Sequence, residues 1–166
     1  MIRTLLLSII TFALTACGFT PMHAGPGGAV FDKLSIVEQG GANLTDEQIG
    51  FLVQQRLRDR VGQTSKPAHE LRYTINSVRV PIGISDADIA TRYDTFVTAT
   101  YSLVETKTGD VLDKGSVRSV TTFGAPFDPY GTVAADSNAR QQASKEVADR
   151  LLTSVAQYYA KAKPAT

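Results

Sequence analysis

The order of periodic segments predicts an α+β fold, a two-layer sandwich in which two helices cover one face of a four-stranded, mostly antiparallel sheet, in the order β-α-β-β-β-α. Three observations carry this expectation. Residues 92–104 and 111–123 alternate apolar and polar side chains on either side of a Gly-containing loop, the pattern of a hairpin with one packed and one wet face. Residues 49–61 and 133–161 repeat apolar residues at helical spacing on one face only. Within 166 residues there is no internal repeat, and the length is enough for one domain with a core and too short for two, so one domain is expected.

Taken in order, Phe31 to Glu38 alternates and carries β-branched Ile36 and Val37, which predicts a first strand stopped by Gly40-Gly41. The next segment opens a helix, with Thr45 as the expected N-cap, Gln48 reaching back to it and Leu44 stapling onto Ile49. Ile49, Leu52, Val53, Leu57 and Val61 share its inner face. Arg56, Arg58 and Arg60 occupy the last turns before Gly62, where cations suit the helix dipole, and read as a solvated end rather than a phosphate patch.

Leu71, Tyr73 and Ile75 alternate, and Val78 and Val80 then continue on the opposite parity, which predicts a bulge near Asn76-Ser77 and a strand ended by Pro81. Residues 82–89 read as a loop. Its Asp86 and Asp88 are turn formers, because the spacing of a calcium loop is absent.

The long strand from Arg92 to Val104 puts Tyr93, Val97, Ala99, Tyr101 and Leu103 on one face and Arg92, Asp94, Thr98, Thr100 and Ser102 on the other. If Thr106 pairs with Asp110 across the turn, Tyr101 lies opposite Gly115 and can cover it, Ala99 faces Val117, Ser102 faces Lys114 and Thr98 faces Arg118. The wet face is then polar and mildly basic. Gly124 to Gly131 breaks the sheet, and a second helix is expected from Val133 to Lys161. Ala139, Ala143, Val147, Leu151, Val155 and Tyr158 form its apolar stripe, and Arg140, Lys145, Glu146, Asp149 and Gln157 its outer face. Tyr158 and Tyr159 read as half-buried packing.

The N-terminal segment is a targeting signal in layout: Arg3, an apolar run from Leu5 to Leu14, then small residues before the only cysteine, Cys17. The run is too short to cross the ~30 Å hydrocarbon core of a bilayer. Leu14-Thr15-Ala16-Cys17 resembles the bacterial lipobox, which implies cleavage before Cys17 and a covalent diacylglycerol and N-acyl chain on that residue, with no other cofactor. Acyl burial contributes about 0.8 kcal/mol per methylene, so several chains hold a domain at a membrane. The expected organisation is a signal peptide over 1–16, a Gly/Pro-rich tether over 17–30, one domain over 31–161 and a frayed tail over 162–166.

The chain carries 17 Lys+Arg against 16 Asp+Glu, and Arg3 is the only charge in the removed segment, so the mature formal charge is zero and bulk attraction to nucleic acid is not expected. One cysteine allows no internal disulfide and no zinc-type Cys/His spacing. His23 and His69 stand in no spacing that suggests nucleophilic or metal chemistry, and no phosphate loop, dinucleotide fingerprint or Gly-x-Ser-x-Gly occurs. A binding or assembly role is expected, and no enzymatic one.

Cys17-Gly18-Phe19-Thr20-Pro21-Met22 resembles the Cys-Gly-Phe-x-Pro-Leu start of the lipopolysaccharide-assembly lipoprotein family, LptE, in its alphaproteobacterial form. Ala90-Thr91-Arg92, Tyr101-x-Leu103 with Gly109 and Gly115, and Tyr130 leading into the Ala-rich final helix with Ala139 and Ala148 continue the likeness as an ordered pattern. Met22-His23 departs from the Leu-Tyr usual there. The resemblance implies a lipid-anchored protein on the periplasmic face of the outer membrane that plugs the LptD-type barrel, assists its assembly and helps lipopolysaccharide reach the outer leaflet. Candidate lipopolysaccharide-binding residues are Arg92, Lys107, Lys114 and Arg118, chosen from the hairpin register and the affinity of Arg and Lys for phosphate. The competing expectation is an auxiliary periplasmic lipoprotein of an ABC-type lipid exporter or a peptidoglycan-synthase activator.

Overall fold

The structure is a computed structural model that describes residues 31–84, 90–126 and 128–162. The expected signal peptide, Cys17 and tether, together with Asp86, Asp88 and residues 163–166 of the tail, lie outside the described residues. The elements are β1 (Leu34–Gly41), α1 (Leu44–Val61), β2 (His69–Ile84), β3 (Ala90–Glu105), β4 (Val111–Gly124) and α2 (Pro129–Ala162). They form one four-stranded sheet in the order β1-β2-β3-β4. β1 runs parallel to β2 and the other pairs are antiparallel. The parallel pair requires a crossover, which α1 supplies.

Both helices lie on the same face. Ser77, Val97 and Ser119 form one cross-strand row, and the row reaches α1 through Ser77 and Asp46 and α2 through a 3.0 Å bond from Ser119 Oγ to the Ala143 carbonyl. Leu71, Tyr73, Ile75, Val97, Ala99, Tyr101 and Leu103 pack there against Ile49, Val53 and Leu57 of α1 and Ala143, Val147, Leu151 and Val155 of α2. The small alanines let α2 approach the sheet, as their place in the stripe predicts.

The hairpin register agrees with the sequence reading, with Tyr101 opposite Gly115, Ala99 opposite Val117, Ser102 opposite Lys114 and Thr98 opposite Arg118. Near the turn the ladder shifts between Leu103 and Val104, and Leu112 of β4 packs against the core. Gly109 closes the turn at φ 80°, a conformation that only glycine adopts without strain.

Three expectations are corrected. The cap of α1 is Asn43, not Thr45: its Oδ1 accepts the Asp46 N–H at 3.0 Å and its Nδ2 donates to Asp46 Oδ2 at 2.9 Å, a reciprocal box shifted two residues earlier. Leu44 is 77% exposed and staples nothing. The shift follows from the tightness of the β1–α1 turn, since a Cβ on Gly41 would stand 2.6 Å from Asp46 Cβ.

β2 has no bulge at Asn76-Ser77. Its pairing with β3 runs unbroken from His69↔Glu105 to Pro81↔Tyr93 and shifts only around Gly83, and the strand does not end at Pro81 but continues to Ile84, into the expected loop. The change of apolar parity at Val78 is a change of face: inward positions 77 and 79 are polar because they reach past the core, while Val78 and Val80 point to the open side. α2 starts at Pro129, four residues before the expected Val133. Asp128 Oδ1 accepts the Gly131 N–H at 2.6 Å, and proline at the first helical position sacrifices no bond.

Candidate functional site

Two surfaces with functional character result from this arrangement, the uncovered face of the sheet and a polar cavity beneath its upper end, the end where both helices begin. β2, β3 and β4 turn every second side chain outward, and no described helix covers them. The lower half, toward the hairpin turn, is polar, with Thr74, Thr98, Thr100, Ser102 and Ser116. The upper half carries an apolar patch, contrary to the expected polar and mildly basic face, next to the Asp94–Thr122 pair and Arg92. Val78, Phe96 and Val120 form a cross-strand row, with Val78 51% and Val120 46% exposed, and Val80 and Ile82 extend it.

The four basic candidates do not form one cluster. Arg92, Lys114 and Arg118 are on the open face, while Lys107 is on the hairpin turn. Arg92 sits at the upper rim opposite Gly124, ten residues along β3 from the Ser102↔Lys114 row, which at ~3.3 Å per residue separates them by roughly 33 Å. Lys114 and Arg118 share one strand with Ser116 between them, four residues and, at ~3.3 Å per residue, roughly 13 Å apart. Arg118 lays its guanidinium 4.2 Å from the Phe96 ring centroid, a cation–π contact that leaves its edge open to anions. Cys17 lies outside the described residues.

The upper cavity, of about 300 Å³, is bounded by the first turn of α1, by Ser77, Arg79 and Thr95 from the sheet, and by Asp136 and Arg140 from α2. Asp136 is almost fully buried and serves two cations, Arg140 one turn along its own helix and Arg79 Nη1 at 3.5 Å across the gap. Arg79 also stands 5.0 Å over the Tyr93 ring. Thr95 Oγ1 is buried without a partner, so the cavity presents an unused hydroxyl beside a neutralised carboxylate. Behind the lining, Asp46 of α1 accepts the Ser77 N–H at 2.8 Å and the Ser77 hydroxyl. β1 ends its pairing at Gly41↔Ile75, so this carboxylate takes the place of the next acceptor along β2.

Sequence reasoning missed Arg79 and Asp136, which are 57 positions apart and meet only because α2 returns over β3 and β4 and Arg79 reaches across to it from β2. The Asp136–Arg140 spacing, one turn of helix, was the available signal. Arg56 and Arg60 are not simply solvated: both reach Asp149 of α2, at 3.1 and 3.8 Å, and tie the helices together. His69 is structural, its Nδ1 lying 2.8 Å from the Tyr159 hydroxyl, whose pKa burial pushes up to about 12. Among the described residues no group of three His, Cys, Asp or Glu could hold a metal ion. No described helix is long and apolar enough to cross a membrane.

No protein-family model matches the chain, and no curated protein does. Solved structures do. A lipoprotein of Caulobacter crescentus is 24% identical with a TM-score of 0.66, over 83% of this chain and 98% of that one. Rare lipoprotein B of Shewanella oneidensis is 16% identical with a TM-score of 0.60, over 78% and 97%. A minor lipoprotein of Acinetobacter baumannii is 14% identical with a TM-score of 0.56, over 78% and 93%. At these identities the likeness is one of fold, and it extends over nearly the whole of each of those proteins.

Proposed function

We propose that this chain is a lipid-anchored component of the lipopolysaccharide transport machinery, held at the periplasmic face of the outer membrane by acyl chains on Cys17. There it plugs an LptD-type barrel, assists the assembly of that barrel and helps lipopolysaccharide reach the outer leaflet. The observation that carries the reading is the agreement between the lipobox-like Leu14-Thr15-Ala16-Cys17 and a fold whose solved examples are bacterial lipoproteins. A long sheet face without a covering layer, polar over its lower half, suits a water-lined barrel lumen. Arg92, Lys107, Lys114 and Arg118 are the proposed phosphate contacts, and no residue is assigned a catalytic role.

Intact-mass measurement on protein isolated from native membranes tests the anchor: residues 1–16 absent and acyl mass on Cys17 are expected. Co-isolation in mild detergent tests the partner. A heat-modifiable barrel is expected, and an inner-membrane ATPase or a peptidoglycan synthase in its place overturns the assignment. Arg92→Glu with Arg118→Glu is expected to leave the fold intact and weaken lipopolysaccharide binding in a salt-sensitive way. Unchanged binding removes these residues from the site.

A further inference from the structure

We infer that the free edge of β4 is a strand-addition site for an extended, acidic segment of another protein. The inference rests on the sheet edge alone and stands apart from the barrel reading. β4 lies at the end of the strand order, and its register against β3 is unbroken from Asp113 to Gly124. Just beyond it the Ala125 N–H bonds to the Thr91 carbonyl at 2.8 Å, which fixes the parity. Odd-numbered residues of β4 turn their amides toward β3, so Lys114, Ser116, Arg118, Val120 and Thr122 turn theirs outward. Arg150 confirms the direction from outside: its Nη1 donates to the Arg118 carbonyl at 2.6 Å.

An edge this long and regular is a template for another strand, and proteins normally blunt such edges. The opposite edge is blunted: β1 has eight residues and an irregular register between Glu38 and Gly41. On β4 the only cover among the described residues is the one guanidinium on Arg118. The apolar row Val78–Phe96–Val120 also stops at this edge, leaving Val120 46% exposed. An added strand extends the row by one apolar side chain and covers Val120.

Charge selects the occupant. Lys114 and Arg118 stand along this edge as cations, while Arg150 is paired with Glu146, so two-fold pairing of β4 with a second copy about its middle brings two Lys114–Arg118 sets together. An acidic partner avoids this. The complementary segment carries, at alternate positions, an apolar residue against Val120, an acidic one against Arg118, a small polar one against Ser116 and an acidic one against Lys114.

The test titrates the full-length lipidated protein in detergent micelles with a short labelled peptide carrying valine, glutamate, threonine and glutamate at alternate positions, read by fluorescence anisotropy. Saturable binding is expected, at least about tenfold weaker for a twin peptide with lysine in place of glutamate. Val120→Pro removes one outward amide, is tolerated on an edge, and should weaken the glutamate peptide by a similar factor. Lys114→Glu with Arg118→Glu leaves the backbone untouched and should reverse the preference in favour of the lysine peptide. Absence of binding, equal binding of the two peptides, or an unchanged preference in the charge-reversed variant overturns the proposal. So does a concentration-dependent dimer of the parent that Val120→Pro abolishes, since the edge then receives a second copy.

Discussion

Replacing Asp46 by alanine should destabilise the fold far more than the loss of an ordinary helix cap. Asp46 has no exposed surface and accepts hydrogen bonds from the Ser77 N–H at 2.8 Å, the Ser77 hydroxyl and Asn43 Nδ2 at 2.9 Å. Bonds to a charged acceptor contribute about 1.5–3 kcal/mol each. The Asn43 amide is at the surface and regains water, and the Ser77 hydroxyl can rotate. The Ser77 N–H cannot, because it is part of the sheet where β1 has ended. A loss of about 3 kcal/mol follows for Asp46→Ala, against about 1 kcal/mol for Ser77→Ala, which keeps the N–H bond. At ~2–4 °C per kcal/mol for a chain of this size, the melting temperature should fall by roughly 6–12 °C. Urea denaturation of the two single variants and the double variant measures the coupling, expected at about 1 kcal/mol. A cost for Asp46→Ala within about 0.5 kcal/mol of the parent, the range of a surface substitution, would refute the claim that this carboxylate completes the β2 ladder.

Gly115→Val should cost about 1–3 kcal/mol by overpacking, because a Cβ there meets the Tyr101 hydroxyl at 3.1 Å and its ring at 3.2 Å, and a melting curve reads the effect directly. Asp149→Ala removes two partly exposed pairs to Arg56 and Arg60, so a loss of no more than about 1 kcal/mol that shrinks with added salt is expected from denaturation at two ionic strengths. Glu38 is held above the ordinary carboxylate range by burial and then by the Glu47 carboxylate. Its folded pKa exceeds its unfolded one, so the native state binds the proton more tightly. That contribution is present at acid pH, is lost as pH rises through the folded pKa, and is constant above it. Glu38→Gln should flatten this part of a stability-against-pH curve, and an unaltered slope would contradict the assignment.

How much was legible depended on whether the determining contacts were local. The register of β3 against β4 could be read in advance because a short turn closed by Gly109 leaves two alternating strands little freedom to slip. The inner faces of both helices could be read because their stripes have helical period and the sheet offers one apolar face to match. The cap of α1 was misplaced because Asn43, Thr45 and Asp46 are all acceptable near a helix start, and the tight approach at Gly41 selects among them. The parity change in β2 above Ile75 suggested a bulge, whereas the strand is regular and the core ends below Val78 and Val80, which face outward. Arg79, Asp136 and Arg140 carry no common pattern along the chain.

The amino-acid order by itself therefore determined the kinds of element, their sequence, the packed side of each helix and the pairing of the hairpin, because each follows from periodicity or turn chemistry within a few tens of residues. Only the tertiary structure decided where helix cover stops over the sheet. That limit makes a helix carboxylate the acceptor for β2 and gathers two arginines around Asp136 from separate elements. The physical reason is that these features depend on the lengths of α1, α2 and the strands relative to one another, a property of the assembled layers that no single segment contains.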